Sequence, residues 1–483
     1  MSNKKNIVIL GGGFAGLRIA YLLNKLGYSI SLIEKDQKIG GMVQTYQHYY
    51  EGEPFYFDYG PHLFFDEYVD EYVDLLGTDL LSLSGRFCMY TNKAILSYPI
   101  RPIEIFTKMN PLTSILYIVD YIINKMNLKK LKDENASLKT YMTKRFGRKL
   151  YNDFYSPYIE KCTGLSSHQI SILWGKEREN VSGKSLLENI INRINYLFSS
   201  KAREELQKTN SPVAETIMGW YPRRGAGQLC DAMIGTLNHK SIYLNSKIEV
   251  INIKGRSIQD VIIDINGLKK KINGDYFIST LPLPELINLF LPGFENRSRT
   301  SSNIVYRNVR LVNLIINKDS VLDCLEMFSM DRQHVFKRIY EPKMMSDYMA
   351  PFGKSSLCLE VCCNKGDKIE QMSKTDLVSR CIEDLINMKV IESKDDVKDD
   401  FIIEMPHAYP IYNIGFERER QKYLDIVDGL ENMLTCGRQG LFRYHAMTNE
   451  IMKMADKVVE FIEGSRDKRS VDDNNSKWGA YFY

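Results

Sequence analysis

The sequence lacks long apolar runs and any marked excess of one charge. Its most apolar stretch, 111–128, contains Asp120, Asn124 and Lys125 and falls short of the roughly 20 apolar residues that a membrane helix needs. The 64 basic and 60 acidic side chains leave a net charge of only +4, which offers no electrostatic reason to expect a nucleic acid. The composition therefore predicts neither an integral membrane segment nor a nucleic-acid partner.

Cysteine is also scarce. There are nine cysteines, an odd number, and apart from the adjacent Cys362 and Cys363 they show no metal-ligand spacing, so neither a disulfide framework nor a metal site is predicted. The basic N-terminus is followed by an apolar stretch that Gly11–Gly13 interrupts, unlike a signal peptide. We therefore expect a cytoplasmic protein with reduced thiols. The basic runs Lys125–Lys132 and Arg466–Arg469 leave a peripheral position at the inner membrane face as an alternative.

What the sequence does contain is enough apolar material for a large core. Its 483 residues are 44% hydrophobic and 26% charged, as in folded proteins, and this length predicts two or three domains. The N-terminal pattern is that of a βαβ unit. Asn6–Leu10 is a short apolar run typical of a strand buried on both faces, Leu17–Leu23 has helical spacing, and Ile30–Ile33 is a second strand.

The turn after the first strand fits the dinucleotide pattern G-x-G-x-x-G. Gly11 would make the tight turn, Gly13 would let the backbone approach a pyrophosphate, and Gly16 would let the helix pack on the strand. The intervening Phe14 and Ala15 open the helix, whose free N–H groups and positive dipole end would face the anion. These five residues are candidate cofactor ligands.

An acidic residue ends the second strand at the position that binds an adenosine ribose. Glu34 lies 18 residues after Gly16, where its carboxylate can accept both ribose hydroxyls and would repel a 2′-phosphate; Lys35 follows it. The glycine pattern alone leaves NAD and FAD open. The nearby glycine pair that ends in Gly41, followed by Met42, would let a second loop cross the cofactor closely, which favours FAD.

Together with Gly11–Gly16, Glu34 and Gly40-Gly41, the segment Phe57–His62 resembles the FAD-binding amine-oxidase superfamily, which includes protoporphyrinogen oxidases, phytoene desaturases and UDP-galactopyranose mutases. The resemblance runs along most of the chain and is strongest to the mutases and to protoporphyrinogen-oxidase-like proteins of polysaccharide-synthesis clusters. Three segments carry it: Gly60–Phe64, similar to G-A-H-I-F; Arg338–Lys343, similar to R-V-x-E-x-K; and Gly437–Met447, similar to G-R-x-x-x-[YF]-[KR]-Y-x-x-M.

The resemblance implies an FAD site with several protein contacts. Gly60 and Pro61 would present His62 close to the flavin ring, and Arg438 after Gly437 would serve the FAD pyrophosphate. Val250 is a further expected cofactor contact.

Other residues are expected on the catalytic and substrate side. Arg338 would lie against the isoalloxazine, where its charge would stabilise the anionic reduced flavin; the alternative is a structural ion pair with the nearby Glu341. Tyr444, which also contacts FAD, and Tyr409 would bind the diphosphate of the substrate, with Arg224 as a further candidate.

Two departures weaken the case for UDP-galactose itself. Ala226 stands where the mutases have a tyrosine that contacts the sugar nucleotide, and Ala446 replaces the acidic residue expected after Tyr444.

The expected fold is α/β, with a Rossmann-like FAD-binding domain, an inserted helical subdomain and a mixed or antiparallel substrate sheet. The following list gives the predicted divisions: 1–65, FAD-binding βαβ unit; 66–205, mainly helical substrate-side subdomain, including apolar helical spacing at Leu186–Phe198; 206–285, return to the FAD-binding domain; 286–405, substrate-binding antiparallel sheet; 406–465, C-terminal FAD-binding segment and helix; 466–483, polar tail.

Three functions remain open at this level. The first is an FAD-dependent mutase that interconverts pyranose and furanose forms of a nucleotide-linked sugar, with the reduced flavin acting as a nucleophile; it would need a reductant such as NAD(P)H. The second is an FAD-dependent oxidoreductase of the amine-oxidase or protoporphyrinogen-oxidase type that removes a hydride. The third is a flavin-binding protein without catalysis. The oligomeric state stays open.

Overall fold

The computed structural model describes residues 4–98, 102–126, 137–179, 217–290, 304–444, 447–465 and 467–468. Its strands are β1 Asn6–Leu10, β2 Ser29–Ile33, β3 Thr45–Tyr50, β4 Glu53–Asp58, β5 Leu80–Gly85, β6 Phe87–Thr91, β7 Ala94–Tyr98, β8 Ile217–Pro222, β9 Ile242–Tyr243, β10 Ser246–Lys254, β11 Ser257–Ile265, β12 Leu268–Asn273, β13 Tyr276–Ser279, β14 Val305–Ile316, β15 Glu326–Ser329, β16 Arg338–Tyr340, β17 Ser355–Cys363, β18 Val397–Ile411 and β19 Met433–Thr435.

The α-helices alternate with these strands. They are α1 Phe14–Lys25, α2 Val69–Leu76, α3 Pro102–Lys108, α4 Pro111–Met126, α5 Leu138–Phe146, α6 Arg148–Leu150, α7 Ser156–Thr163, α8 Leu173–Glu179, α9 Gly227–Gly235, α10 Leu283–Asn288, α11 Pro342–Met345, α12 Lys368–Gln371, α13 Lys374–Asn387, α14 Phe416–Asp428, α15 Gly437–Gly440 and α16 Thr448–Ile462.

A five-stranded parallel sheet forms the first layer, in the order β19-β13-β1-β2-β9. Its central strand β1 pairs with β2 and β13, and Ile7–Leu10 are fully buried, because helices cover both faces of a parallel sheet. Helix α1 packs against both α9 and α16. The predicted βαβ unit is therefore confirmed, and segments from three distant parts of the chain complete its sheet.

A seven-stranded mixed sheet forms the second layer, in the order β18-β14-β17-β16-β15-β6-β7. Most of its pairs are antiparallel, but β15 runs parallel to β6. Helix α13 covers one face through Leu377, Cys381 and Leu385, all fully buried. This agrees with the predicted mixed or antiparallel substrate sheet.

The block at 66–205 that was predicted to be mainly helical also contains strands. Residues 80–98 form β5, β6 and β7, and the last two of these strands belong to the seven-stranded sheet. The short apolar run Phe87–Thr91 carries no helical period, and it gains stability by pairing with β7 and with β15, which lies more than 200 residues away in sequence. Helices dominate only from Pro102 onward.

Some predictions fall outside the described residues: the helical spacing at Leu186–Phe198, the substitution at Ala446 and nearly all of the polar tail at 466–483. Within the described ranges, no helix combines the length and apolar character needed to cross a bilayer. All nine cysteines lie buried as free thiols.

Candidate active site

A cavity of about 1160 Å³ is lined by residues from both large sheets and from the helical region. It gathers most of the site residues predicted from the sequence. Those that line it are Gly11, Gly13, Phe14, Ala15, Glu34, Lys35, Gly41, Met42, Gly60, Pro61, His62, Arg338, Tyr409, Gly437, Arg438 and Tyr444.

The glycine loop is shaped to admit a pyrophosphate. Gly13 is the N-cap of α1 and makes no side-chain cap, and the first turn holds no acidic residue, so the helix N-terminus is open to an anion. A Cβ on Gly13 would meet no atom within 4 Å, whereas one on Gly16 would lie 2.1 Å from the carbonyl oxygen of Gly11. Gly13 thus borders the cavity, while Gly16 holds the helix against the strand.

Glu34 is positioned by the same loop. Its Oε2 accepts the N–H of Gly12 at 2.7 Å and its Oε1 accepts the N–H of Asp36 at 3.0 Å. Burial raises the pKa of this carboxyl, and the two backbone N–H groups oppose that rise. Each oxygen keeps a further acceptor site, which is what two ribose hydroxyls require.

The far end of the chain closes the other side of this region. A Cβ on Gly437 would lie 2.9 Å from the Cβ of Ala15, so the turn that carries Arg438 packs directly on the start of α1. The Arg438 guanidinium carbon lies 5.4 Å from the centroid of the Tyr409 ring. An open helix N-terminus, a buried ribose acceptor and this arginine together fit FAD, and they are the groups that would hold its phosphates and ribose.

His62 follows a loop that is anchored at a buried carboxylate. Asp58 accepts hydrogen bonds from the hydroxyls of Thr45, at 2.6 Å, and of Tyr221, and from the N–H of Ala226 at 3.1 Å. The His62 Nε2 lies 2.6 Å from the carbonyl oxygen of Met42, so Nε2 carries the proton and Nδ1 is an acceptor. Burial lowers the pKa of His62 to about 4, and the neighbouring Arg438 and Arg338 add to this effect.

Arg338 lies in a buried network of four charged side chains. Its Nη1 donates to Glu326 Oε2 and its Nε to Glu360 Oε2, each at 2.7 Å. Lys337 Nζ lies 2.8 Å from Glu360 Oε1, and the Tyr409 hydroxyl donates to the same oxygen at 2.7 Å. Lys337, Glu326 and Glu360 line the cavity with Arg338.

The network is electrically balanced. Burial opposes the ionisation of Glu360, but Arg338 and Lys337 outweigh it and lower the pKa of Glu360 to about 2. For Glu326 burial prevails and raises the pKa, against the effect of Arg338. Strand pairing brings these residues together, since Arg338 lies opposite Glu360 on β17 and next to β15, which starts at Glu326.

The ion pair between Arg338 and Glu341 that was expected as the alternative does not form. Glu341 is fully buried and accepts the N–H groups of Val321 and Leu322, at 3.0 and 2.6 Å, and the hydroxyl of Ser355. Arg338 does make an ion pair, but with Glu326 and Glu360. Sequence reasoning missed both, because neither is near Arg338 in the chain; the only signal was an acidic residue inside an otherwise apolar strand, as in Ser355–Cys363.

Aromatic side chains lie next to this charged network. Tyr444 stacks on Tyr409 with ring centroids 5.4 Å apart, and Trp174 of α8 meets Tyr444 edge-on at 5.4 Å. Tyr155 and Tyr158, from the turn of π-helix at 151–155 and from α7, also line the cavity. The sequence favoured a core role for the aromatics of this helical region; π-helical turns often mark functional sites.

Three predicted contacts lie outside the cavity. Gly16 packs within the βαβ unit, as described above. Val250 does not line the cavity, whereas Ile248 does, because β10 has an irregular register between these two residues. Arg224 is exposed on the turn after β8 and borders a separate shallow pocket with Tyr348. The predicted substrate role of Arg224 in the main cavity is therefore wrong.

The sequence did not predict one group of possible metal ligands. The sulfur atoms of Cys88 and Cys324 and a carboxylate oxygen of Asp323 lie within 4.8 Å of one another. Asp323 is paired with Arg86 at the surface. The spacing of these residues along the sequence does not reveal this group, because Cys88 and Cys324 come together only through the pairing of β6 with β15.

Comparison with known proteins agrees with the geometry. Residues 9–76 match the NAD(P)-binding Rossmann-like domain family. Across nearly the whole chain the structure is similar to that of reduced UDP-galactopyranose mutase, with a TM-score of 0.80, 18% identity, and 98% of this chain and 97% of that chain covered. The chain has the fold of the FAD-binding amine-oxidase superfamily. The predicted fold class is confirmed, and this fold agrees with the predicted superfamily and with FAD as the predicted cofactor.

Further known proteins are also similar to this chain. Cyclohexylamine oxidase from Brevibacterium oxydans superposes with a TM-score of 0.63 and 12% identity over 95% of this chain and 100% of that chain. Among curated sequences, an L-amino-acid oxidase of Demansia vestigiata is 28% identical over 216 residues, 38% of this chain and 41% of its own length. One of Cerastes cerastes is 33% identical over 120 residues, 21% of this chain and 23% of its own length. The match thus spans about a quarter to two fifths of these relatives.

Proposed function

We propose that this protein is an FAD-dependent mutase that interconverts the pyranose and furanose forms of a nucleotide-linked sugar for surface polysaccharide synthesis, in the manner of UDP-galactopyranose mutase. The observation that carries this proposal is the pair of stacked phenols, Tyr409 and Tyr444, set beside Arg438 in a cavity that also holds Arg338. Cationic and hydroxyl donors on one wall suit a diphosphate. The structural similarity to the mutase over 98% of the chain supports the same reading.

The residues of the chain would act by binding and orientation. An FAD bound here would, after reduction by a donor such as NAD(P)H, supply the nucleophile. Arg338 would stabilise negative charge on the reduced ring, since its own countercharges hold it rigidly in place. Neutral His62 would present Nδ1 as an acceptor toward the ring region, and Tyr444 would hold the substrate phosphates.

The decisive experiment incubates dithionite-reduced protein with a panel of UDP-sugars under anaerobic conditions and analyses the products. Conversion of pyranose to furanose without net oxidation of the flavin supports the mutase. Bleaching of oxidised flavin by a substrate in the absence of dithionite would sink it. The variant Tyr444→Phe should raise KM for the nucleotide sugar by about tenfold, the worth of one hydrogen bond to a charged group, while Tyr348→Phe, on the surface outside the cavity, should not.

A specific observation favours a second function, an FAD-dependent oxidoreductase that removes a hydride from an amine or similar substrate. Glu326 and Glu360 neutralise Lys337 and Arg338, so this part of the wall offers a diphosphate little net positive charge. In addition, the Tyr409 hydroxyl already donates to Glu360. Substrate-dependent reduction of oxidised flavin, with reoxidation by dioxygen or another acceptor, is its expected signature; absence of both turnover and flavin reduction would indicate a non-catalytic flavoprotein.

We further place the protein in the cytoplasm, free or peripheral to the inner membrane face, acting on a small molecule. Fractionation of cells that produce the tagged chain tests this location.

A further inference from the structure

Helix α4 exposes a continuous apolar stripe that the proposed reaction does not use. Six aliphatic side chains on α4 are between 45% and 73% exposed: Leu112, Ile115, Leu116, Val119, Ile122 and Ile123. At 100° per residue they share a face about 120° wide. Exposed aliphatic residues occur singly on most surfaces, but a stripe of this kind marks a binding surface.

The rest of α4 faces the protein. Ser114, Tyr117 and Tyr121 are buried on the opposite side. Asp120, the one acidic residue of the helix, turns toward α6, where its Oδ2 accepts the N–H of Lys149 at 2.8 Å. The helix is therefore firmly seated through one face, and its apolar stripe carries no acidic side chain.

Basic side chains lie on the helices that pack against α4. Lys108 ends α3, and Lys144, Arg145 and Arg148 lie at the junction of α5 and α6; all three helices pack against α4. Over residues 101–161 the sequence has twelve basic and six acidic side chains. This segment has a net charge of +6 and the whole chain only +4, so the remainder of the protein is slightly acidic.

We propose that the α4 stripe is a membrane-docking surface that lies in the interface of an anionic lipid bilayer. An amphipathic helix with an aliphatic face and a basic border binds such a surface in its plane, through apolar burial and attraction to anionic lipid. The 16 residues of α4 extend about 24 Å, long enough to lie along the interface. A symmetric contact with a second copy would instead bring two basic borders together.

The test uses the full-length flavoprotein in flotation assays with vesicles of phosphatidylcholine alone and of phosphatidylcholine mixed with phosphatidylglycerol. The wild type should float with the anionic vesicles and much less with the neutral ones, and high salt should weaken binding. The triple variant Ile115→Ser, Val119→Ser and Ile123→Ser should bind about tenfold more weakly or worse. The matched control Leu268→Ser removes a side chain that is 76% exposed on β12 and should bind like the wild type.

A second variant tests the basic border. Arg148→Glu, at an exposed position on α6, should weaken the preference for phosphatidylglycerol and leave flavin absorbance and unfolding unchanged. Sedimentation velocity on the same samples tests whether a second copy of the chain covers the stripe instead. The proposal is overturned in favour of a dimer if the wild type does not bind vesicles but is dimeric and the triple variant is monomeric. Equal binding of wild type and triple variant, or no binding of the wild type to anionic vesicles, also overturns it.

Discussion

At the scale of single residues, the cavity wall is governed by the cost of burying charge. Arg338 and Lys337 are held at positions where an unpaired cation would be strongly unfavourable, and Glu326 and Glu360 remove that cost by direct ion pairs. Such a network fixes side-chain directions more than it adds stability. Its value for the site is therefore geometric: a guanidinium with two countercharges cannot rotate away from the cavity.

Glu360 is the residue on which this network depends. We expect Glu360→Gln to lower the free energy of unfolding by about 3–5 kcal/mol, because Lys337 and Arg338 would be left with one carboxylate between them. Urea unfolding of the two proteins measures this. Since the folded-state pKa of Glu360 is about 2, against an ordinary value of 4.5, the contribution should persist above pH 4.5 and fade as the pH drops toward 2. Glu392→Gln, at an exposed ion pair with Lys318, is the control and should change little.

His62 predicts a different dependence on pH. Its pKa in the folded protein is lowered from 6.5 to about 4, so between these values the unfolded chain binds more protons than the folded one. Stability should therefore rise with pH across this window and be lost as the pH falls through it. Unfolding midpoints of wild type and His62→Gln, measured from pH 4 to pH 7, should diverge toward neutral pH; parallel curves would contradict the assignment of a neutral imidazole.

At the scale of elements, the close packing of β1, α1 and the turn at Gly437 creates the cofactor end of the cavity. The glycine positions are not equivalent. Gly16 is required because its neighbour is a backbone carbonyl that cannot move aside, whereas Gly13 leaves room for a ligand. Packing of helix on strand thus determines how near an anion can come to the helix N-terminus.

Gly16→Ala tests this arrangement. The added methyl group would overlap the carbonyl oxygen of Gly11, 2.1 Å from the Cβ position, so we expect a loss of about 1–3 kcal/mol in stability and weaker retention of FAD. Denaturant unfolding and flavin fluorescence in a dilution series measure the two effects. In Gly235→Ala the new Cβ would meet nothing within 4 Å at the end of α9, and that protein should be as stable as the wild type or up to about 1 kcal/mol more so. Equal behaviour of the two variants would refute the packing argument.

At the scale of the whole molecule, one partly buried lysine links the helical region to the seven-stranded sheet. Lys161 Nζ of α7 donates to the carbonyl oxygens of Ser329 at 2.6 Å, Asp331 at 3.0 Å and Phe336 at 3.2 Å, and to the Ser329 hydroxyl at 3.0 Å. Burial lowers the pKa of Lys161 to about 7. The ammonium group thus donates the hydrogen bonds that water would otherwise donate to the turn between β15 and β16.

Lys161→Met should therefore loosen the junction between the helices and the sheet. We expect it to cost about 1–3 kcal/mol, since buried acceptors would lose their donor, and to increase proteolysis in the helical region. Because the folded-state pKa lies near 7 and the ordinary value is 10.5, the folded state binds fewer protons in this window, and wild-type stability relative to the variant should rise between pH 7 and pH 10. Lys149→Met, at a half-exposed pair with Asp153, should show neither effect.

The sequence predicted the structure well wherever the local backbone conformation requires particular residues. The strands β1 and β2 were predicted within a few residues, and Gly11, Gly13, Glu34 and Arg438 line one cavity as expected. Prediction failed where position depends on strand pairing. Arg224 reads like a phosphate ligand but lies on a turn that faces solvent, and Phe87–Thr91 gave no sign that it joins a distant sheet.

By itself, then, the sequence determined a Rossmann-like dinucleotide-binding unit, because a tight turn, an open helix N-terminus and a ribose acceptor each demand particular residues at fixed spacing. Only the tertiary structure decided how the other end of the cavity is charged. Glu326, Arg338 and Glu360 come from three strands and meet through their register. Ion pairing acts across space at a few ångströms, and a linear pattern of charges carries no information about which partners the fold will bring that close.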